Sequence, residues 1–292
     1  MSRFREIKEF LIEKIIFLCG IASMAGVVLI FFFLLKEGGS FFFKVPLTQF
    51  LLGKNWFPTS SPAEFGILPL IAGSLLVTAL AIAIAVPLGV ASAIFIAEIA
   101  KGGTKELLKS GIELIQAIPS VVLGFLGAKI LGNFIKQIFH LDIGLTAFTA
   151  ALLLAFMALP TIISVMEDAI TAVPKRYRES SLAMGATQWQ TIYKVVIPAS
   201  LSGIMAAVML GIGRAIGETM VVAMAAGNAA IIPTSIFSPV KTLTAAIAGE
   251  MGETAPGSLH YLSLFSIAIV LFIFTFIINI TADVLIHRKK VK

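Results

Sequence analysis

Residues 65–97 read FGILPL IAGSLLVTAL AIAIAVPLGV ASAIFIA and contain no charged side chain. A bilayer core about 30 Å thick is crossed by roughly 20 helical residues, so this stretch can span it with turns to spare. Three more charge-free runs are of similar kind, at residues 15–35, 143–166 and 254–282. They mix β-branched, Leu, Ala and Phe residues without the strict alternation of an outer-membrane barrel strand, which selects helix. With 58% hydrophobic and 13% charged residues, the chain has too little polar surface to coat a soluble globule. These features predict an all-α integral membrane protein with six transmembrane helices, at about 15–35, 67–97, 112–134, 144–167, 197–227 and 261–285.

Two spans carry irregularities. Pro119 opens the third and Lys129 interrupts it. The fifth reads as one long helix or as a helix plus a re-entrant piece, and Gly227-Asn228 and Pro233 mark a break. Pro69, Pro87 and Pro119 are read as kinks.

Several classes are disfavoured. Cys19 lies inside the first span and supports no disulfide framework. His140, His260 and His287 are too scattered for a metal site. Arg3, Arg5, Lys8 and Lys14 ahead of an apolar run imitate a signal peptide. That run is too long for an h-region, however, and Lys36-Glu37-Gly38-Gly39 offers no small-x-small cleavage pattern, so it is read as a retained first helix. No repeat and no separate soluble domain is visible. The expected division is 1–64 (tail, first helix and outer loop) and 65–292 (a core of five transmembrane helices).

Loop charges give orientation. With six spans, fifteen Lys and Arg residues fall on the side that holds both termini and the loops near 98–111 and 168–196, against six on the other. The positive-inside rule then places both termini in the cytoplasm. The net charge of +6 reflects this topology and attraction to anionic lipid, with no indication of nucleic-acid binding.

The inner loop contains Pro174-Lys175-Arg176-Tyr177-Arg178-Glu179-Ser180-Ser181-Leu182-Ala183-Met184-Gly185-Ala186-Thr187-Gln188-Trp189. Pro174 suits a first helical turn and Gly185 a stop. A short helix with apolar and small groups among charges suits either a groove on another protein or the lipid surface. Its spacing resembles the EAA motif of ABC-importer permeases: Glu179, then Gly185, then nine residues, then Val195-Val196-Ile197-Pro198. Ser180-Ser181 replaces the two alanines of that pattern. The resemblance implies a cytoplasmic coupling helix that docks into an ATP-hydrolysing subunit, with Arg178, Glu179, Ala183, Gly185, Ala186 and Trp189 at the contact. ATPase subunits must be separate, since the only Gly-Lys, Gly53-Lys54, is followed by Asn55 and no Walker A motif occurs. The chain itself is therefore expected not to be an enzyme.

Arg214 and Glu218 are the charges inside the fifth span. If one helix runs from Pro198, Arg214 lies roughly 24 Å along it, and a four-residue offset puts the two on one face. A lipid-facing charge at the bilayer centre costs about 2.5–3.5 kcal/mol, so both should face protein or water. A structural ion pair and an anion path both fit. Arginine suits an oxyanion, and Gly211, Gly213 and Gly217 permit close approach. A neighbouring carboxylate could accept a hydrogen bond from a protonated oxyanion, which phosphate retains at neutral pH and sulfate does not.

Arg214-Ala215-Ile216-Gly217-Glu218-Thr219 resembles the Arg-Ala-x-Gly-Glu-Thr segment of the permeases of phosphate-specific (Pst) ABC importers. Phe65-Gly66-Ile67-Leu68-Pro69, Ile118-Pro119-Ser120-Val121-Val122-Leu123-Gly124 and the segment Glu250–Tyr261 resemble them too, the last most like the C-type subunit. The resemblance runs from Phe65 to the end. It implies a type I importer permease in a prokaryotic plasma (inner) membrane, with Arg214, Glu218, Thr219 and Ser120 along the substrate path. Implied partners are a homologous A-type permease, two ATP-binding subunits that hold ATP and Mg, and an extracytoplasmic phosphate-binding protein. No cofactor is expected in this chain. Glu250 and Glu253 are read as a solvated outer loop or a contact for the binding protein. Rival readings are a sulfate, molybdate or tungstate importer and an ion-coupled secondary transporter; a scaffold or a membrane enzyme has less in its favour.

Overall fold

The structure, a computed structural model, describes residues 2–288. Met1 and the tail lysines Lys289, Lys290 and Lys292, used above for orientation, lie outside them. Helix α1 (Ser2–Phe41) is about 60 Å long at 1.5 Å per residue, so the expected 15–35 span is the middle of a helix that overshoots the bilayer. A short α2 (Leu47–Leu52) and the hairpin of β1 (Trp56–Phe57) and β2 (Glu64–Phe65) lead into α3 (Leu68–Ile99). Next come α4 (Gly103–Gln116), α5 (Ser120–Ile138) and α6 (Ala147–Thr171). The chain continues through α7 (Lys175–Ala183), α8 (Gln188–Ala199), α9 (Leu201–Gly217) and α10 (Met220–Ala225). It ends with α11 (Leu243–Glu250) and α12 (Leu259–Arg288).

Among the described residues five helices are long and apolar enough to cross a membrane, and there are six if the bent pair α8–α9 is one span. That agrees with the six-helix expectation, but two boundaries move. The third span is Ser120–Ile138, not 112–134. Pro119 does not kink a continuous helix; it caps a new one, and the residues before it form the separate amphipathic α4. Pro69 likewise opens α3, while Pro87 does lie within it. Lys105 and Lys109 on α4 reach Glu167 of α6 at 3.0 and 2.7 Å; Glu167 is 2% exposed, so this ion pair pins α4 across the end of the bundle.

The fifth span departs further. Its helix stops at Gly217, Glu218 is extended (φ −71°, ψ 131°), and α10 starts at Met220. The expected break at Gly227 exists as well, but the earlier one decides the geometry. Three glycines within Gly211–Gly217 each weaken a helix by about 1 kcal/mol relative to alanine. The Glu218 carbonyl freed by the break accepts a hydrogen bond from Thr244 Oγ1 at 3.0 Å. The expected outer loop is thus partly a buried helix: α11 inserts with Leu243, Thr244, Ala245 and Ala246 buried, and Leu243 N donates to Ser74 Oγ of α3 at 2.9 Å.

The core forms where α3, α6 and α9 meet. Ile162 of α6 is fully buried between two glycines. A Cβ added at Gly89 of α3 would lie 2.6 Å from Ile162 Cγ2, and one at Gly211 of α9 would lie 2.6 Å from Ile162 Cδ1. Hydrogen at both positions lets three spans close on one branched side chain. A second cluster joins Phe41, Phe50, Trp56 and Phe65 to Leu264 and Ile267 of α12. There Ser266 Oγ donates to the Gly38 carbonyl of α1 at 2.8 Å.

Gly211→Ala is expected to destabilise the protein by about 1–3 kcal/mol through overpacking. A Cβ at Gly211 would lie 2.6 Å from Ile162 Cγ1 as well as from Cδ1, so Ile162→Ala, which removes both atoms, should cost less in the Gly211→Ala background than in the unaltered chain. The thermal midpoint of the purified protein in detergent reads both effects, and simple additivity of the two changes would refute the packing account.

Candidate functional site

The break at Gly217–Thr219 gathers three of the four expected pathway residues. Arg214 sits one turn before the end of α9, partly buried, and its Nη1 donates to Thr161 Oγ1 of α6 at 2.7 Å. Thr161 adjoins the Ile162 wedge, so the core that spaces the helices also orients the guanidinium. Glu218 and Thr219 occupy the interruption itself, both partly buried. Arg214 and Glu218 do not share a helical face as the four-residue offset implied, because the helix ends between them. Among the described residues no ion pair joins them. The fourth residue, Ser120, begins α5. α5 crosses α10 at Gly124, where an added Cβ would lie 3.2 Å from Val221 Cα. A helix interrupted within a membrane span leaves backbone polar groups that must meet protein or a water-filled cavity.

At the other end of α9 the loop forms two short helices. Gly185 adopts φ +84°, the left-handed conformation that favours glycine, and ends α7. Gly185 N donates to Leu182 O and Ala186 N to Ser181 O, the paired bonds of a Schellman cap. Two residues later Thr187 and Gln190 form a capping box that starts α8. Ser181 Oγ lies 2.9 Å from Thr191 Oγ1, so one of the two serines that replace alanine links the two helices. Glu179, Ala183 and Gly185 are exposed and Ala186 is partly so. Trp189 is 64% exposed and Met184 is 89%. Arg178 is different: its side chain turns inward onto Glu98 of α3. α8 meets α9 at a 71° bend.

Residues 85–291 match the family described as the binding-protein-dependent transport system inner membrane component. The chain belongs to this family. A probable ABC transporter permease protein, YqgH of Bacillus subtilis, is 41% identical over 289 residues, covering 98% of this chain and 94% of that one. The phosphate transport system permease protein PstC of Mesorhizobium japonicum is 37% identical over 259 residues, covering 82% and 78%. A chain of a bacterial ABC transporter involved in import of the acidic polysaccharide alginate superposes with a TM-score of 0.66 at 15% identity, over 99% of both chains. A chain of the MetNI methionine ABC transporter in an inward-facing conformation gives 0.58 at 20%, over 76% and 96%. The fold is that of the type I ABC-importer permeases.

This inner membrane component also holds a polar hub that the sequence did not reveal. Glu250 is not a solvated loop residue: Trp56 Nε1 donates to it at 3.1 Å, His260 Nε2 lies 2.7 Å from Oε2, and Lys241 completes the set. Lys241 and His260 flank Glu250 at nine and ten residues, and Trp56 joins them on the same carboxylate from 194 positions away. Burial alone would raise the Glu250 pKa, but the bonds from Lys241, His260 and Trp56 outweigh it and hold it below the ordinary value. A depressed pKa means that the hub contributes stability above the unfolded-state pKa and loses it as pH falls through the folded-state value. With Trp189→Phe as background, the emission of Trp56 is expected to shift as the pH falls below the ordinary carboxylate range. Glu250→Gln should abolish that acid-dependent shift, and a transition that persists unchanged in Glu250→Gln would assign it to another group.

Proposed function

We propose that the chain is the C-type permease subunit of an ATP-driven importer of inorganic phosphate. The observation that carries this reading is a partly buried arginine one turn before an interruption in a membrane span. The PstC relative, 37% identical over 82% of the chain, supports phosphate as cargo. In this reading Arg214 is a transient station for the anion, already oriented by Thr161. Glu218 accepts a hydrogen bond from the protonated oxygen of phosphate, and Thr219 and Ser120 supply further hydroxyls. Binding at such a station must stay weak enough for release.

The handle α7–α8 docks on a separate ATPase subunit through Glu179, Ala183, Gly185, Ala186 and Trp189. ATP and Mg are bound there, and this chain hydrolyses nothing. A homologous A-type permease completes the pathway, and a phosphate-binding protein delivers cargo from outside. Both termini lie in the cytoplasm, consistent with fifteen against six basic residues. Closure of the ATPase pair moves the handle and turns an inward-open path outward. Sulfate, molybdate and tungstate lack the proton that Glu218 would recognise at neutral pH. An ion-coupled carrier would have no use for the exposed, double-capped handle.

Proteoliposomes that contain this chain, its partner permease, the ATPase and the binding protein should take up labelled phosphate only with ATP. Arg214→Gln is expected to lower uptake about 10- to 100-fold, the loss of one charge-assisted contact, with the complex still assembled. Uptake that survives intact would return Arg214 to a purely structural role. Glu218→Gln should make sulfate a better competitor of phosphate, and an unchanged anion preference would count against the proton-reading role.

A further inference from the structure

Glu98 ends the charge-free run that begins at Phe65, and it sits in the π-helical turn Phe95–Ile99 at the end of α3. Arg178 of the handle meets it as a fork. Nη2 donates to Glu98 Oε1 at 2.6 Å, and Nε donates to Oε1 at 3.0 Å and Oε2 at 3.3 Å. The same guanidinium donates from Nη2 to the Ile170 carbonyl at 2.8 Å and from Nη1 to the Val173 carbonyl, at the end of α6 and just beyond it. The second handle helix is tied to the same place, because Gln188 Nε2 donates to the Glu98 carbonyl at 3.3 Å. The two side chains are only 20% and 10% exposed, so this is not a solvated surface pair.

A guanidinium bonded on three of its nitrogens has little freedom left. Bidentate pairing fixes orientation as well as distance, which a lysine cannot do. A shift of α7 would therefore reach α3 and α6 as a rigid displacement and would not be absorbed in the loop. Those two helices, with α9, close on Ile162, next to the threonine that holds Arg214. Energetic coupling between distant sites needs such a contiguous packed and hydrogen-bonded route.

We propose that the Arg178–Glu98 pair is the positioning contact that transmits movement of the handle to α3 and α6, with Glu98 setting how efficiently ATP hydrolysis becomes transport. Neither residue touches cargo or nucleotide in this role. Arg178 thus serves coupling from inside the permease and is not part of the exposed docking face. The inference rests on the reading of α7–α8 as the ATPase contact.

The test uses the full complex in proteoliposomes and compares Glu98→Ala, Glu98→Gln and Arg178→Lys with the unaltered chain. Three quantities are read: ATPase subunits retained per permease, stimulation of ATP hydrolysis by the loaded binding protein, and labelled phosphate imported per ATP. Glu98→Ala should keep its ATPase subunits but lose about tenfold in stimulation and in phosphate per ATP, within the usual range of inter-site coupling. Arg178→Lys should lose a similar factor, and Glu98→Gln, which keeps a carbonyl oxygen for the guanidinium, should lose less. Unchanged phosphate per ATP in Glu98→Ala overturns the proposal. So does loss of ATPase subunits with normal phosphate per ATP in the complexes that remain, since the pair would then shape only the docking surface. An unaltered complex that hydrolyses ATP on stimulation but imports no phosphate contradicts the cargo assignment alone. In that case the stimulation ratio still decides the role of Glu98.

Discussion

The arrangement depends on one branched side chain held between two glycines. Ile162 fills the space that Gly89 and Gly211 leave open, and this sets how closely α3, α6 and α9 approach. In a bilayer, lipid tails are as apolar as the helices, so close packing across small residues takes over much of what hydrophobic burial does in water. The same turn of α6 carries Thr161, which receives Arg214. Helix spacing and the direction of the guanidinium are therefore fixed by adjacent residues.

From that point the functional features extend towards the two ends of the bundle. On one side α9 stops at Gly217, and Thr244 takes over the carbonyl that the break frees. α11 thereby packs against the break, and its far end is anchored by the Glu250 hub on Trp56, Lys241 and His260. On the other side α9 bends into the capped handle, which Arg178 ties back to α3 and α6. A break supported by a neighbouring segment, and a lever braced against the same helices, suit a path that alternates between two arrangements.

The helical membrane fold was legible because charge-free runs report the bilayer directly, and the handle because its capping residues act locally. Gly185 carries its left-handed conformation in its own chemistry, as its reading as a helix stop required. The break at Glu218 was not legible. Helical offset arithmetic assumes a continuous helix, and the hydroxyl that takes up the Glu218 carbonyl at the break lies 26 residues away, on Thr244. The inserted position of α11 and the burial of Glu250 were missed for the same reason: both depend on partners distant in the chain. Glu98 had a visible signal, since it is the first charge after residues 65–97, but its partner lies 80 positions on. Thr161 carried no signal at all.

The central claim is that the interruption after Arg214 lines an anion path. The most direct measurement is the reaction of Thr219→Cys, in a Cys19→Ser background, with a membrane-impermeant anionic thiol reagent in the assembled complex. The account predicts that the thiol reacts, and that inorganic phosphate slows the reaction while equimolar sulfate does so much less. A thiol that stays unreactive in every nucleotide state, or that phosphate fails to protect, would contradict it.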